Sequence, residues 1–337
     1  MCPQSGPAWF FIGQSWISSL VLGTPCENCL KPYIPAGASW NLPLAPPDPR
    51  EMEDCLFLDL FVPEKVLKSV GKGRGADVLV WFSGGGYTFG RKENNPAGLL
   101  AASGKGNLTN SDIIYITINY RLGAMGFSAG PTYQSEGGIP NLGLHDQRFA
   151  LEWIQKYIHL FGGDKNRVTL VGESSGGGSM LYQLTAYGGT KGPVPFRRVI
   201  PQSAGWAPLP SPPRQDDTYK LLLNLTNSSS IADLRKVSEA DFIRANSLIV
   251  GYNATYSNFL YNPVVDGDFT PQLPGQMLAN GAFDKNVEVM YSLVTHEGDF
   301  FTAPYLNTTQ AIQESLITIV PNITTSALGE IIYRLTL

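Results

Sequence analysis

Histidine is scarce in this chain, with three in 337 residues, and positive charge is in short supply. Lys and Arg number 24 against 28 Asp and Glu, a net charge of -4, and the pI lies near 5.5. That balance argues against a nucleic-acid or anionic-membrane surface, since either partner is held by a basic face. No Lys or Arg precedes Lys31. A long uninterrupted apolar run is missing as well. The stretch Ala8 to Gly23 is broken by Gln14, Ser15, Ser18 and Ser19, so it reads as neither a spanning helix nor a good signal peptide. Without internal repeats or low-complexity tracts to mark boundaries, the length suits one large α/β domain or two ordinary ones.

Cysteine is absent after Cys55. The four present, Cys2, Cys26, Cys29 and Cys55, would form two disulfides in an oxidising compartment, with three pairings open. Cys26-Glu27-Asn28-Cys29 lacks the preceding strand and following helix of a redox pair. Six N-x-S/T sequons, at Asn107, Asn224, Asn227, Asn253, Asn307 and Asn322, exceed what composition alone would supply and point to a secreted glycoprotein.

Residues 31–50 carry Pro32, Pro35, Pro43, Pro46, Pro47 and Pro49, which predicts an irregular surface excursion. Short apolar runs follow at Leu56 to Val62, Val78 to Phe82, Ile113 to Ile118, Val168 to Val171, Arg198 to Pro201 and Val287 to Val294. They read as strands buried on both faces. Helical spacing lies between several of them, most clearly from Asp146 to Leu160, where Phe149, Ala150, Trp153, Ile154, Tyr157 and Ile158 recur every three or four residues. The alternation predicts a doubly wound, mostly parallel sheet.

Gly172-Glu173-Ser174-Ser175-Gly176 sits between one such run and the helical pattern that begins at Gly177. A G-x-S-x-G at a strand-to-helix junction puts its serine on a strained elbow with Oγ exposed, and only glycines at the flanks permit so tight a turn. Ser174 is the candidate nucleophile, and the Ser175 N–H is placed to stabilise an oxyanion. Ser83-Gly84-Gly85-Gly86-Tyr87 follows the strand Val78 to Phe82 as a glycine-rich oxyanion loop. Glu297, after the run Val287 to Val294, is the preferred orienting acid, and Asp266 competes with it. The base is the difficulty: His145 and His159 precede the nucleophile and His296 adjoins the acid, so all three read as structural or exposed.

Glu53-Asp54-Cys55-Leu56 resembles the signature of type B carboxylesterases, the family of cholinesterases and fungal lipases. Asn119 to Gly123, Asn141 to Gln147, Phe161 to Asp164, the stretch Gln183 to Gly189 and Pro201 to Gly205 are similar to further landmarks of that family, in order. The resemblance implies an α/β-hydrolase fold, with a mostly parallel central sheet and helices on both faces, spanning residues 1–337 as one incomplete domain. It implies ester hydrolysis through an acyl-serine on Ser174, with Glu297 as triad acid and the amides of Gly85, Gly86 and Ser175 as the oxyanion hole. It further implies a disulfide from Cys55 to an upstream cysteine, for which Cys2 fits best, an ion pair between Arg148 and Asp164, and no metal or cofactor. The substrate would be a small-molecule or lipid ester met outside the cell. Family members have further segments at both ends, including the catalytic histidine, so the sequence looks like the middle of a longer enzyme and is expected to be impaired alone. A non-catalytic binding or adhesion protein on the same fold is the alternative, and an acyltransferase or thioesterase would use the same serine.

Overall fold

The computed structural model describes residues 1–2, 49–92, 94–104, 112–205, 211–254, 259–303, 306–320 and 323–335. The prolines up to Pro47, Cys26, Cys29 and the sequons at Asn107 and Asn322 lie outside them. The chain forms two compact units, the larger including Ser39–Ala254 and Phe259–Val294 and the smaller including Thr295–Leu337. Among the described residues no helix is long and apolar enough to cross a membrane.

The larger unit is organised by a six-stranded sheet in the order β1-β3-β2-β4-β5-β6. The strands are β1 (Leu58–Phe61), β2 (Ala76–Phe82), β3 (Ile113–Ile118), β4 (Gly163–Glu173), β5 (Arg198–Gln202) and β6 (Glu288–Val289). Only β1 runs antiparallel, pairing with β3. The remaining pairs are parallel and reached by crossovers, the arrangement that alternating strand and helix patterns dictate. Thus β2 and β4 lie side by side at the centre, and both deliver their C-terminal ends to the same edge, Phe82 opposite Gly172. Open parallel sheets place their functional loops at that edge.

Burial on both faces holds fully only for β3, where Ile114 to Ile118 are all buried. In β2 the pattern alternates, with Ala76, Val78, Val80 and Phe82 buried and Asp77, Leu79 and Trp81 half-buried between them. β4 also begins five residues earlier than its apolar run, because Gly163 pairs with Ala76 before the register shift that brings Val168 opposite Val78. The greatest departure is at β6. The run Val287 to Val294 supplies two strand residues and one further bridge, Gln202 to Ser292, and Val289, Met290, Leu293 and Val294 are 57–66% exposed.

The covered sheet face packs Val78, Val80, Ile114, Ile116, Val168 and Leu170 against Leu151, Ile154 and Ile158 of the helix Leu142–Tyr157 and its 3-10 extension. A second core, around Tyr87, Tyr120, Phe127, Tyr182, Tyr219 and Phe269, binds the helical segments together. Burial of a large apolar side chain contributes about 1.5–3 kcal/mol, so these two clusters hold the scaffold on which the loops sit. Cys2 and Cys55, both buried, are joined by a disulfide.

The smaller unit contributes the helices Glu297–Phe301, Thr309–Ile319 and Thr325–Leu335. Thr308 caps the second of these by accepting from Ala311 N–H, which satisfies a donor that the first helical turn leaves open.

Candidate active site

β4 ends at Glu173 and the next helix, Ser175–Thr185, begins two residues later. Ser174 must therefore reverse the chain alone, and it does so at φ 54° and ψ -124°. That conformation is costly for any residue with a side chain, about 1–3 kcal/mol. The surroundings hold it there: Ser174 N–H donates to Gln202 O at 3.0 Å, and Ser174 O accepts from both Gly178 N–H and Gly205 N–H at 2.8 Å. The flanking glycines are demanded by contact. A Cβ on Gly172 would lie 2.7 Å from Phe82 O, and one on Gly176 would lie 2.2 Å from the same oxygen. Ser174 is left half-buried, while Ser175 behind it is buried.

The loop Ser83–Gly86 leaves β2 directly beside this elbow. A Cβ on Gly84 would meet Glu173 O at 2.7 Å and Ser174 Cβ at 3.1 Å, so bare backbone faces the serine. Gly85 and Gly86 take φ 116° and 57°, values open to glycine at little cost. Gly85 O is turned into a tight bend, accepting from Thr88 and Phe89 N–H at 3.0 Å. Tyr120, fully buried with its hydroxyl pushed up to about 12 by desolvation, donates to Ser83 O at 2.7 Å and fixes the loop at its root.

A buried polar chain braces the helix that carries Ser175. Ser179 Oγ donates to Ser175 O at 2.8 Å and accepts from Gln147 Nε2 at 2.9 Å. Gln183 donates to Leu144 O and accepts from Arg148 Nε at 2.9 Å, and Arg148 Nη2 also reaches Gln183 O. The helices Leu142–Tyr157 and Ser175–Thr185 are thereby locked together.

Arg148 is consequently engaged with Gln183, and the expected pair with Asp164 does not form; Asp164 instead binds Arg167 at 2.9 Å. The carboxylate held by an arginine at the head of the 142–157 helix is Asp146, gripped by Arg121. The signal was available, since Arg121 and Asp146 both fall within the quoted landmarks, but one-dimensional order does not say which charges meet.

The structure brings Ser174, Ser175 and Gly84 to Gly86 together at one sheet edge. Asp266, the competing acid, is committed elsewhere: it accepts from Asn141 Nδ2 at 2.6 Å and from the amides of Asp268 and Thr270 at 2.9 Å, closing its own turn. Glu297 opens the helix Glu297–Phe301 in the smaller unit and is half-buried. His145 stacks edge-on against Phe269 at 4.7 Å, and burial holds its imidazole below the ordinary 6.5. His159 and His296 are exposed. Among the described residues no group of three or more His, Cys, Asp or Glu is placed to bind a metal.

A sequence model of the carboxylesterase family matches residues 25–328. The chain is 40% identical over 323 residues to carboxylesterase patB of Penicillium expansum, covering 90% of this chain and 55% of the relative. It is 45% identical over 154 residues to a secreted lipase of Arthroderma benhamiae, covering 45% of this chain and 30% of that one. Among solved structures, Aspergillus niger EstA superposes with a TM-score of 0.70 at 28% identity, covering 84% of this chain and 54% of EstA. The chain thus spans about half the length of the longer curated relatives it matches.

Proposed function

We propose that this chain, which belongs to the carboxylesterase family, carries the acylation machinery of a serine-dependent carboxylic-ester hydrolase. Ser174 Oγ attacks the ester carbonyl while its proton passes to a base. The tetrahedral oxyanion is held by the amides of Gly85, Gly86 and Ser175, the alcohol departs, and water releases the acid from the acyl-serine. Glu297 orients the base. The observation that carries this reading is the conformation of Ser174, a non-glycine residue at φ 54° and ψ -124° facing a loop stripped of side chains. Such strain is kept where a mechanism uses it.

The base in this reading is a histidine from outside this chain; His145 packs edge-on against Phe269, and His159 and His296 are exposed. Loss of a triad member removes on the order of four to six powers of ten in rate, so the isolated chain is a slow catalyst. The substrate is a small-molecule or lipid ester, encountered extracellularly; the relatives named as secreted lipases support that setting. Asn224, Asn227, Asn253 and Asn307 are all exposed, as N-glycan acceptors must be. A mass loss on deglycosylation of the chain expressed through a secretory pathway checks that assignment.

The test is hydrolysis of p-nitrophenyl butyrate with and without added imidazole as a surrogate base, with Ser174→Ala as control. Slow turnover, raised by imidazole and lost in the variant, is the expected result. Turnover at ordinary esterase rates without imidazole refutes the external base, and turnover surviving Ser174→Ala refutes the nucleophile.

A further inference from the structure

We propose that Tyr87 is a positioning residue for acyl transfer, its hydroxyl fastening the glycine loop to the elbow; the proposal rests on the assignment of Ser174 above. Tyr87 follows Gly86 directly and is 1% exposed. Its φ of 60° is unusual for an aromatic residue, and it is secured from both sides. Its carbonyl accepts from Gly123 N–H at 2.8 Å, and its ring packs on Phe127 at 4.9 Å.

The side chain then reaches across the site. The Tyr87 hydroxyl donates to Gly205 O at 3.3 Å, and Gly205 N–H donates to Ser174 O at 2.8 Å. One glycine therefore links the oxyanion loop to the candidate nucleophile. The same hydroxyl abuts the 175–185 helix, where a Cβ on Gly178 would lie 2.9 Å from it. Three segments meet at that oxygen: the loop after β2, the helix after Ser174 and the loop after β5. A residue needed only to fill the core would require the ring alone. The hydroxyl lands on Gly205, the one residue outside the helix that, among the described residues, holds the Ser174 carbonyl, and oxyanion donors act only when preorganised around the reacting group.

Tyr87→Phe removes the hydroxyl and keeps the ring. The readout is covalent labelling of Ser174 by an alkyl fluorophosphonate in the presence of imidazole, resolved into probe affinity and maximal rate, together with amide hydrogen exchange. The variant is expected to lose about tenfold or more in maximal rate, since small displacements of reacting groups cost up to about a hundredfold. Probe affinity should stay unchanged, and exchange should quicken at residues 84–86 and 203–205. Tyr219→Phe, which removes a buried hydroxyl bonded to Glu136, should leave all of these unaltered. Wild-type labelling rates in Tyr87→Phe, or equal losses in both variants, overturn the proposal. If Ser174 of the unaltered protein takes no label, the functional reading fails on its own. Exchange then tests only the tether: quickening confined to those residues sustains the fastening of the glycine loop to the elbow by the Tyr87 hydroxyl, and no change overturns it.

Discussion

Arg121 and Asp146 meet fork to fork, Nε to Oδ2 at 2.8 Å and Nη2 to Oδ1 at 2.6 Å, while the Arg121 backbone N–H donates to the same Oδ2 at 2.9 Å. The pair ties the segment after β3 to the start of the 142–157 helix. Asp146 is 7% exposed and the Arg121 side chain 29%, so replacing the carboxylate leaves the Arg121 charge unpaired where water reaches it only in part. Asp146→Asn is expected to destabilise the fold by about 3 kcal/mol, the lower end for disrupting a buried pair because Arg121 keeps some solvent access. Urea denaturation measures it; a loss below about 1 kcal/mol, the range of surface pairs, would show that the contact is peripheral.

Ser174 stores strain that glycine would not. Ser174→Gly relieves a cost of about 1–3 kcal/mol against a loss of under about 1 kcal/mol from the more flexible unfolded chain. The variant should melt higher than Ser174→Ala, which keeps the Cβ and the strain, and neither should take a fluorophosphonate label. Equal melting of the two variants would mean that the elbow is relaxed.

Acid sensitivity should be traceable to His145. Burial holds its folded-state pKa below the ordinary 6.5, the charges of Asp266, Asp146 and Asp268 opposing this only in part. Below pH 6.5 the unfolded chain binds a proton that the folded chain resists. Stability is therefore full above that value and falls as the pH drops through the window beneath it. His145→Gln should flatten the slope of stability between about pH 7.5 and 5.5, as read by urea midpoints. An unchanged slope would assign the acid response to other groups.

The Cys2–Cys55 bridge spans 53 residues of sequence. Closing a loop of that size lowers the entropy of the unfolded chain by an amount worth about 4 kcal/mol. Melting in the presence of a reductant should fall accordingly. A midpoint indifferent to reductant would show that Cys2 is not bridged in solution.

The sheet and the elbow were legible because both are local. Ile113 to Ile118 announces β3 by apolar continuity, and Gly172 to Gly176 announces its turn by the absence of side chains that Phe82 O would strike. What escaped is set by partners distant in sequence. The five-residue extension of β4 depends on Gly163 finding Ala76, and Arg148 turned to Gln183 because the two helices pack face to face. Tyr87 is the hardest case. Its meaning comes from Gly205, 118 residues away, and nothing in a tyrosine after three glycines specifies where its hydroxyl will land.

Apolar continuity misleads at Val287 to Val294, where a run that reads as a buried strand lies at the sheet edge. Arg198 Nε binds Glu288 at 2.8 Å and sets the register of β5 with β6, and the backbone stays bonded to β5 as far as Ser292, but the side chains beyond Val289 are exposed. Met290 and Leu293 are each 66% exposed, with Tyr291 at 50% and Val294 at 58%. An edge strand with apolar side chains, no proline and no charge after Glu288 is a template for pairing with another molecule. The purified chain is therefore expected to associate as concentration rises. Met290→Lys with Leu293→Lys should suppress this, because a charge on an edge strand makes pairing unfavourable. Neither side chain is buried, so thermal stability should change by less than about 0.5 kcal/mol. Light scattering against concentration distinguishes the two proteins, and equal association by both would place the sticky surface elsewhere on the molecule.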